Sequence, residues 1–206
     1  MSPLRALLAV LAIGGVAGKA QAQEGGPTRH EGAQVRLLVG PAYLHMGQDL
    51  ASAEEIGAAG LGYAAQLAIG AMVTEALALN TELAFGRSDA AEHDVLGETL
   101  VSALFIGVGA TYWLPADVYL AGSIGATRSS IESAPLRVQI EVPQSDASEV
   151  GFGAQLSLGK TFAVATGFGL GAAFSFGWAS ASNPVSGVDS HRRVLTALLA
   201  LAATIG

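Results

Sequence analysis

The stretch from Val150 to Gly159 reads V-G-F-G-A-Q-L-S-L-G, and the stretch from Phe168 to Trp178 reads F-G-L-G-A-A-F-S-F-G-W. In the first, Val150, Phe152, Ala154, Leu156 and Leu158 interleave with Gly151, Gly153, Gln155, Ser157 and Gly159. In the second, Phe168, Leu170, Ala172, Phe174, Phe176 and Trp178 interleave with Gly169, Gly171, Ala173, Ser175 and Gly177. A β-strand sends successive side chains to opposite faces, so each segment has one bulky apolar face and one small or polar face. That division suits a strand with acyl chains on one side and a tight interior on the other. Phe152, Leu156, Leu158, Leu170, Phe174 and Phe176 are therefore assigned to a lipid-facing surface.

Six further segments carry the same period. Val35–Leu44 places Val35, Leu37, Val39, Pro41 and Tyr43 on one face and Arg36, Leu38, Gly40, Ala42 and Leu44 on the other. Pro41 lacks a ladder donor and predicts a bulge or an edge there. Leu61–Met72 turns Leu61, Tyr63, Ala65, Leu67 and Ile69 outward. Ala76–Gly86 turns Leu77, Leu79, Leu83 and Phe85 outward and Asn80 and Glu82 inward. Thr99–Trp113, Val118–Thr127 and Arg193–Ile205 complete a set of eight.

Composition narrows the class. The 206 residues are 51% hydrophobic and only 13% charged, against about a quarter charged in ordinary soluble domains. Beyond the N-terminus no apolar run reaches the ~18 residues of a membrane helix. A soluble all-β domain with a large core and a membrane barrel both remain open on these grounds. Cysteine is absent, which excludes a disulfide scaffold and thiol chemistry.

The N-terminus reads as an export signal. Arg5 precedes the apolar stretch Leu7–Val16, and Ala20-Gln21-Ala22 fits small-x-small cleavage, so residues 1–22 are assigned to a signal peptide. Residues 23–33 read as a flexible lead-in and 34–206 as the folded domain. Removing Arg5 and Lys19 leaves 8 basic against 17 acidic residues, a net charge of −9. An acidic chain without a basic cluster argues against nucleic-acid binding.

The connections alternate. Long polar segments at Gly47–Gly60, Arg87–Glu98, Ser129–Glu149 and Ser180–Arg192 are predicted as loops. Short turns fall at Val73–Glu75, Pro115–Ala116 and Ala163–Gly167. Short periplasmic turns with long extracellular loops are the outer-membrane rhythm. Aromatic residues fall at both strand ends: Tyr43, Tyr63 and Trp178 toward the long loops, Tyr112 and Phe162 toward the short turns. Two interfacial girdles account for them, although core aromatics of a soluble β domain would look similar. In hydrocarbon an open sheet edge leaves backbone groups unpaired, so the eighth strand must close on the first. Eight strands enclose a space just wide enough for side chains to fill. The expected fold is all-β: an eight-stranded antiparallel up-and-down transmembrane β-barrel.

The segment Gly151–Phe162 followed by Gly167–Phe176 resembles the small eight-stranded outer-membrane β-barrel proteins of Gram-negative bacteria, of OmpA/OmpX-like architecture. Their penultimate hairpin often reads G-x-G-x-x-x-x-x-G-K, a turn, then G-L-G. The resemblance is close over the last third of the chain and a pattern elsewhere. It implies an outer-membrane location, contact with outer-membrane lipid, and passage through periplasmic chaperones and the barrel-assembly machinery. It does not specify an activity, a ligand, an extracellular partner or an oligomeric state. One departure concerns insertion: such barrels usually end in an aromatic residue, and this chain reads Ala203-Thr204-Ile205-Gly206.

Several residues bear on chemistry. Glu82 shares an inward face with Asn80, and Arg36 is its candidate partner in a lumenal pair of structural character. His45, His93 and His191 lie near Asp49, Glu92, Asp94 and Asp189, but without two-histidine ligand spacing they read as solvated rim residues rather than a metal site. Ser190-His191 invites a hydrolase reading, yet adjacent strand residues face opposite ways. Gly159-Lys160-Thr161 matches the end of a P-loop, but Ala154 stands where its first glycine belongs and no helix follows. The segment Ser129–Glu149, with Glu132, Glu141, Asp146, Glu149 and Arg137, reads as a solvated loop, the commoner case, or as a partner- or cation-binding loop. No catalytic residue, metal or cofactor is assigned. The expected role is structural or in surface interaction. A small-molecule or ion-conducting barrel is the alternative, and a lipid A-modifying enzyme a more distant one.

Overall fold

The computed structural model describes residues 32–49, 55–93, 97–133, 149–183 and 190–206. The assigned signal peptide lies outside the described residues, as does most of the lead-in. Eight strands occupy nearly all of the described chain: β1 Ala33–Asp49, β2 Glu55–Met72, β3 Leu77–His93, β4 Gly97–Leu114, β5 Val118–Ser133, β6 Glu149–Ala165, β7 Phe168–Asn183 and β8 Ser190–Ile205. Each pairs antiparallel with its sequence neighbours, and β8 closes on β1.

The closure is staggered. Lateral partners traced around the wall from Arg36 pass through Ala68, Glu82, Gly107, Gly125, Gly153, Ala179 and Val194 and return to β1 at Met46, ten residues further on. A stagger of that size over eight strands tilts them by about 40° to the barrel axis. Every residue on this path faces inward, so the alternation survives one full circuit without a change of face. The outer face carries exposed Phe152, Leu156, Leu158, Leu170, Phe174 and Phe176, together with Ile106, Ile124 and Leu199. Tyr43, Tyr63, Tyr112, Phe162 and Trp178 are also exposed on that face.

The short-turn end is tied down. Thr74 Oγ1 accepts from Leu77 N at 3.0 Å in the first turn, and a single 3₁₀ turn, Pro115–Asp117, makes the second. Thr166 and Gly167 make the third, with Gly167 at φ 69°, where a glycine is favoured. Gly206 N donates to Gly167 O at 3.0 Å, and Met72 N to Gly32 O at 2.9 Å, which fastens both ends of the described chain to this rim.

Two sequence expectations need correction. The described parts of the segments predicted as long loops are strand: β1 runs on to Asp49, β2 begins at Glu55, β3 reaches His93, β5 reaches Ser133 and β7 reaches Asn183, while residues 50–54, 94–96, 134–148 and 184–189 lie outside the described residues. A transmembrane strand needs only ~9–11 residues. The eleven residues from Phe168 to Trp178 satisfy that, so the rest of β7 continues the wall past the apolar belt. There the apolar alternation ends and the ladder continues on backbone hydrogen bonds. Pro41, second, makes neither a bulge nor an edge. Its pairing with β2 is regular, while the β1–β8 ladder omits Gly40 and Pro41 and resumes at Ala42 in unchanged register. The missing N–H removes a rung without shifting the strand. Register shifts fall elsewhere, between Ala59 and Tyr63, Ser88 and Ala91, and Ala163 and Ala165.

Candidate functional site: the lumen and the outer wall

The interior is built in three layers. Nearest the short turns, Arg36 of β1 reaches across to β3 and β4. Its Nη1 donates to Thr111 Oγ1 at 2.8 Å, and its Nη2 lies 3.8 Å from Glu82 Oε2. The second distance is an ion pair without a direct hydrogen bond. Arg36 also lies over the Tyr119 ring, 4.8 Å from its centroid, and Tyr119 packs against Trp113 at 5.2 Å in a tilted arrangement. Arg36 and Glu82 are each 2% exposed and Tyr119 is fully buried. One cation, one carboxylate and two aromatic rings thus close the barrel at this level.

The middle layer is a neutral hydrogen-bond network. Gln66 Nε2 donates to Gln155 Oε1 at 2.8 Å and to Ser175 Oγ at 2.7 Å, and Ser157 Oγ donates to Ser175 Oγ at 2.8 Å. These residues come from β2, β6 and β7, on opposite parts of the wall, so the network spans the lumen. A cavity of about 50 Å³ beside it is lined by Gln66, Phe105, Thr127, Gln155 and Thr196 among others. Above it, Leu44, Met46, Val101, Val194 and Leu198 form an apolar layer, all nearly or fully buried.

Glycines shape this packing. A Cβ at Gly159 would lie 2.4 Å from Tyr119 Cζ, and one at Gly153 would lie 2.5 Å from Thr127 Cγ2. Gly153 and Gly159 are therefore recesses for side chains from β5. Gly159-Lys160-Thr161 lies within β6, with Lys160 exposed and Thr161 buried, so it has no phosphate-loop conformation.

The remaining candidates are dispersed. His45 faces outward on β1. Asp49 and His191 are backbone partners across β1 and β8, while Asp94 and Asp189 lie outside the described residues. Among the described residues no group of three His, Asp or Glu is placed to hold a metal. Ser190 and His191 begin β8 as consecutive strand residues. Glu141, Asp146 and Arg137 lie outside the described residues. Sequence reading missed three inward aromatics, Phe105, Trp113 and Tyr119. The signal was available for two, since Phe105 and Trp113 share the parity of Gly107, Gly109 and Thr111.

No family model matches the sequence, and no curated protein matches it. Solved structures do. The crystal structure of Neisserial surface protein A is 15% identical, and the match covers 85% of this chain and 99% of that one at a TM-score of 0.51. The chain has the fold of the small eight-stranded outer-membrane β-barrels. Outer membrane protein OprG of Pseudomonas aeruginosa (11% identity, 87% and 99% covered, TM-score 0.45) and AlkL, determined in lipid bilayers (12%, 92% and 96%, 0.47), are also similar. In this barrel the belt of the outer wall is apolar, while Arg36, Glu82 and the Gln66 network are buried inside beside an apolar layer.

Proposed function

We propose that this chain is an outer-membrane barrel of a Gram-negative envelope with a structural or surface-interaction role, and that it neither conducts nor catalyses. The observation that carries this reading is the layered interior. The Arg36–Glu82–Tyr119–Trp113 cluster, the Gln66 network and the Leu44–Met46–Val101 layer succeed one another along the axis. A conducting pore needs a continuous wet path, and a barrel enzyme needs a nucleophile, base and acid held together at one level. The exposed outer belt supports residence in a bilayer, and the assigned signal peptide supports export, followed by delivery through periplasmic chaperones and the barrel-assembly machinery. Strands that extend beyond the apolar belt supply a rigid stem for contacts outside the cell.

Reconstitution into planar bilayers tests the reading. The expected result is an electrically silent protein that shows heat-modifiable migration on SDS gels. Steady single-channel steps from the folded protein would overturn the sealed-lumen reading. Recovery from the periplasm as a soluble protein without heat modifiability would overturn the membrane reading.

A further inference from the structure

Asn80 Oδ1 and Glu82 Oε1 on β3 and Ser123 Oγ on β5 are buried in the lumen without a hydrogen-bond partner among the described residues. Their residues are 9%, 2% and 4% exposed. Polar atoms buried this deeply are seldom left unmatched, because each has given up the water it bound in the unfolded chain. The three lie in one part of the wall. Asn80, Gly109 of β4 and Ser123 are lateral partners in one row. Glu82 stands two residues along the same face of β3, opposite Gly107. β4 therefore presents only glycines between the strands that carry these oxygens. A Cβ at Gly109 would lie 2.7 Å from Ser123 Cβ, so Ser123 leans over β4 toward β3. Ser123 is close enough to act on the Glu82 carboxylate, yet its Oγ does not reach hydrogen-bond geometry.

The other atoms of these side chains are engaged. Glu82 Oε2 faces Arg36 Nη2 at 3.8 Å, and Asn80 Nδ2 donates to Thr111 Oγ1 at 3.5 Å. Two acceptors and one hydroxyl are left over. The single Ser123 proton can serve one acceptor and leaves the other bare. One water matches all three, since it can donate to both acceptors while it accepts from Ser123, and three bonds are what a buried water ordinarily makes. A metal cation matches less well. Glu82 is the only carboxylate of the three, and Arg36 already neutralises it, so a second cation would stand against the guanidinium.

We propose that Asn80, Glu82 and Ser123 form a binding site for one ordered water inside the barrel. The water joins β3 to β5 across the glycines of β4. It also completes the Arg36–Glu82 pair, because a buried ion pair is held well only when the lone pairs left over from the charge contact are hydrogen-bonded too. The inference goes beyond the role proposed above and does not depend on it, since a conducting barrel could hold the same water.

The test uses the full mature chain, perdeuterated, folded in detergent micelles and checked by heat-modifiable migration. Magnetisation transfer from water is recorded to the Asn80 side-chain amide and the Gly109 backbone amide, in laboratory-frame and rotating-frame experiments. A bound water gives cross-peaks of opposite sign in the two, and chemical exchange gives the same sign in both. The wild type is expected to show the bound-water pattern at both amides. Ser123→Val removes the hydroxyl and puts a methyl group where the water would sit, so the Gly109 and Asn80 cross-peaks should be lost. Asn80→Leu removes one acceptor and should abolish the Gly109 cross-peak, which keeps a second variant at hand if Ser123→Val does not fold. Thr127→Val removes another inward hydroxyl of β5 at nearly constant volume and should leave both cross-peaks in place. Absence of the bound-water pattern in the folded wild type would overturn the proposal. So would its persistence in Ser123→Val or Asn80→Leu, or its loss in Thr127→Val. A shift of the Asn80 and Gly109 resonances when sodium is exchanged for choline would assign the site to a cation and overturn it as well.

Discussion

The Tyr119 ring occupies the space that a side chain at Gly159 would need: a Cβ there would meet ring Cζ at 2.4 Å. The ring cannot easily give way, because Arg36 lies over it and Trp113 packs against it. Gly159→Ala should therefore cost about 1–3 kcal/mol as an overpacked core. Gly122→Ala is the control. Its nearest neighbour would be 3.8 Å away, ordinary contact, so its effect should stay within about 0.5 kcal/mol. Urea-dependent folding into lipid vesicles measures both. In a Trp178→Phe background, Trp113 emission reports the displaced ring directly.

The Arg36–Glu82 pair is buried on both sides. Removing one partner leaves an uncompensated charge, at about 3–5 kcal/mol, whereas replacing both with apolar groups of similar size is often close to neutral. Arg36→Met and Glu82→Met should each destabilise strongly, and the double variant should recover most of the loss. The recovery will be incomplete, since Thr111 Oγ1 loses the donor it has from Arg36. A double-mutant cycle on folding equilibria gives the coupling. Additive single and double losses would mean that the two charges do not stabilise one another.

The alternation at Val150–Trp178 made strand identity, face and number legible, because lipid and a crowded lumen impose opposite demands on neighbouring residues. It failed where one of those demands lapses. Beyond Phe85 the outward positions of β3 are Arg87 and Asp89, which carry charge in place of apolar groups, so the segment reads as a loop. Inward parity placed Arg36 and Glu82 on one face. It could not supply the ten-residue stagger from Arg36 to Met46, which depends on how all eight strands close. Nor could it show Tyr119 inside, because an aromatic beside a turn suits an interfacial girdle equally well.

Gln66 holds the middle layer together, donating to Gln155 and Ser175 from across the lumen. Gln66→Met keeps the volume but leaves Gln155 Oε1 without this donor, at a cost of about 1–3 kcal/mol. The same loss should raise amide exchange in β6 and β7 more than in β3 and β4, since only the former carry the bereft partners. Uniform exchange across the barrel would assign the network no local role.

Phe174 is exposed near the middle of β7, next to Leu158 on β6, while Phe162 is exposed close to the last turn. If acyl chains cover this wall, position along the strand sets the cost of a charge. Phe174→Arg should lose about 2–4 kcal/mol of folding free energy in vesicles, and Phe162→Arg about 0–1 kcal/mol, because a guanidinium beside the turn reaches the headgroups and one at mid-strand does not. Water around the wall would give the opposite result: an arginine replacing an exposed phenylalanine would be tolerated at both depths, with no gradient. The difference between the two variants thus reads the solvent outside the barrel, independently of any ligand or partner.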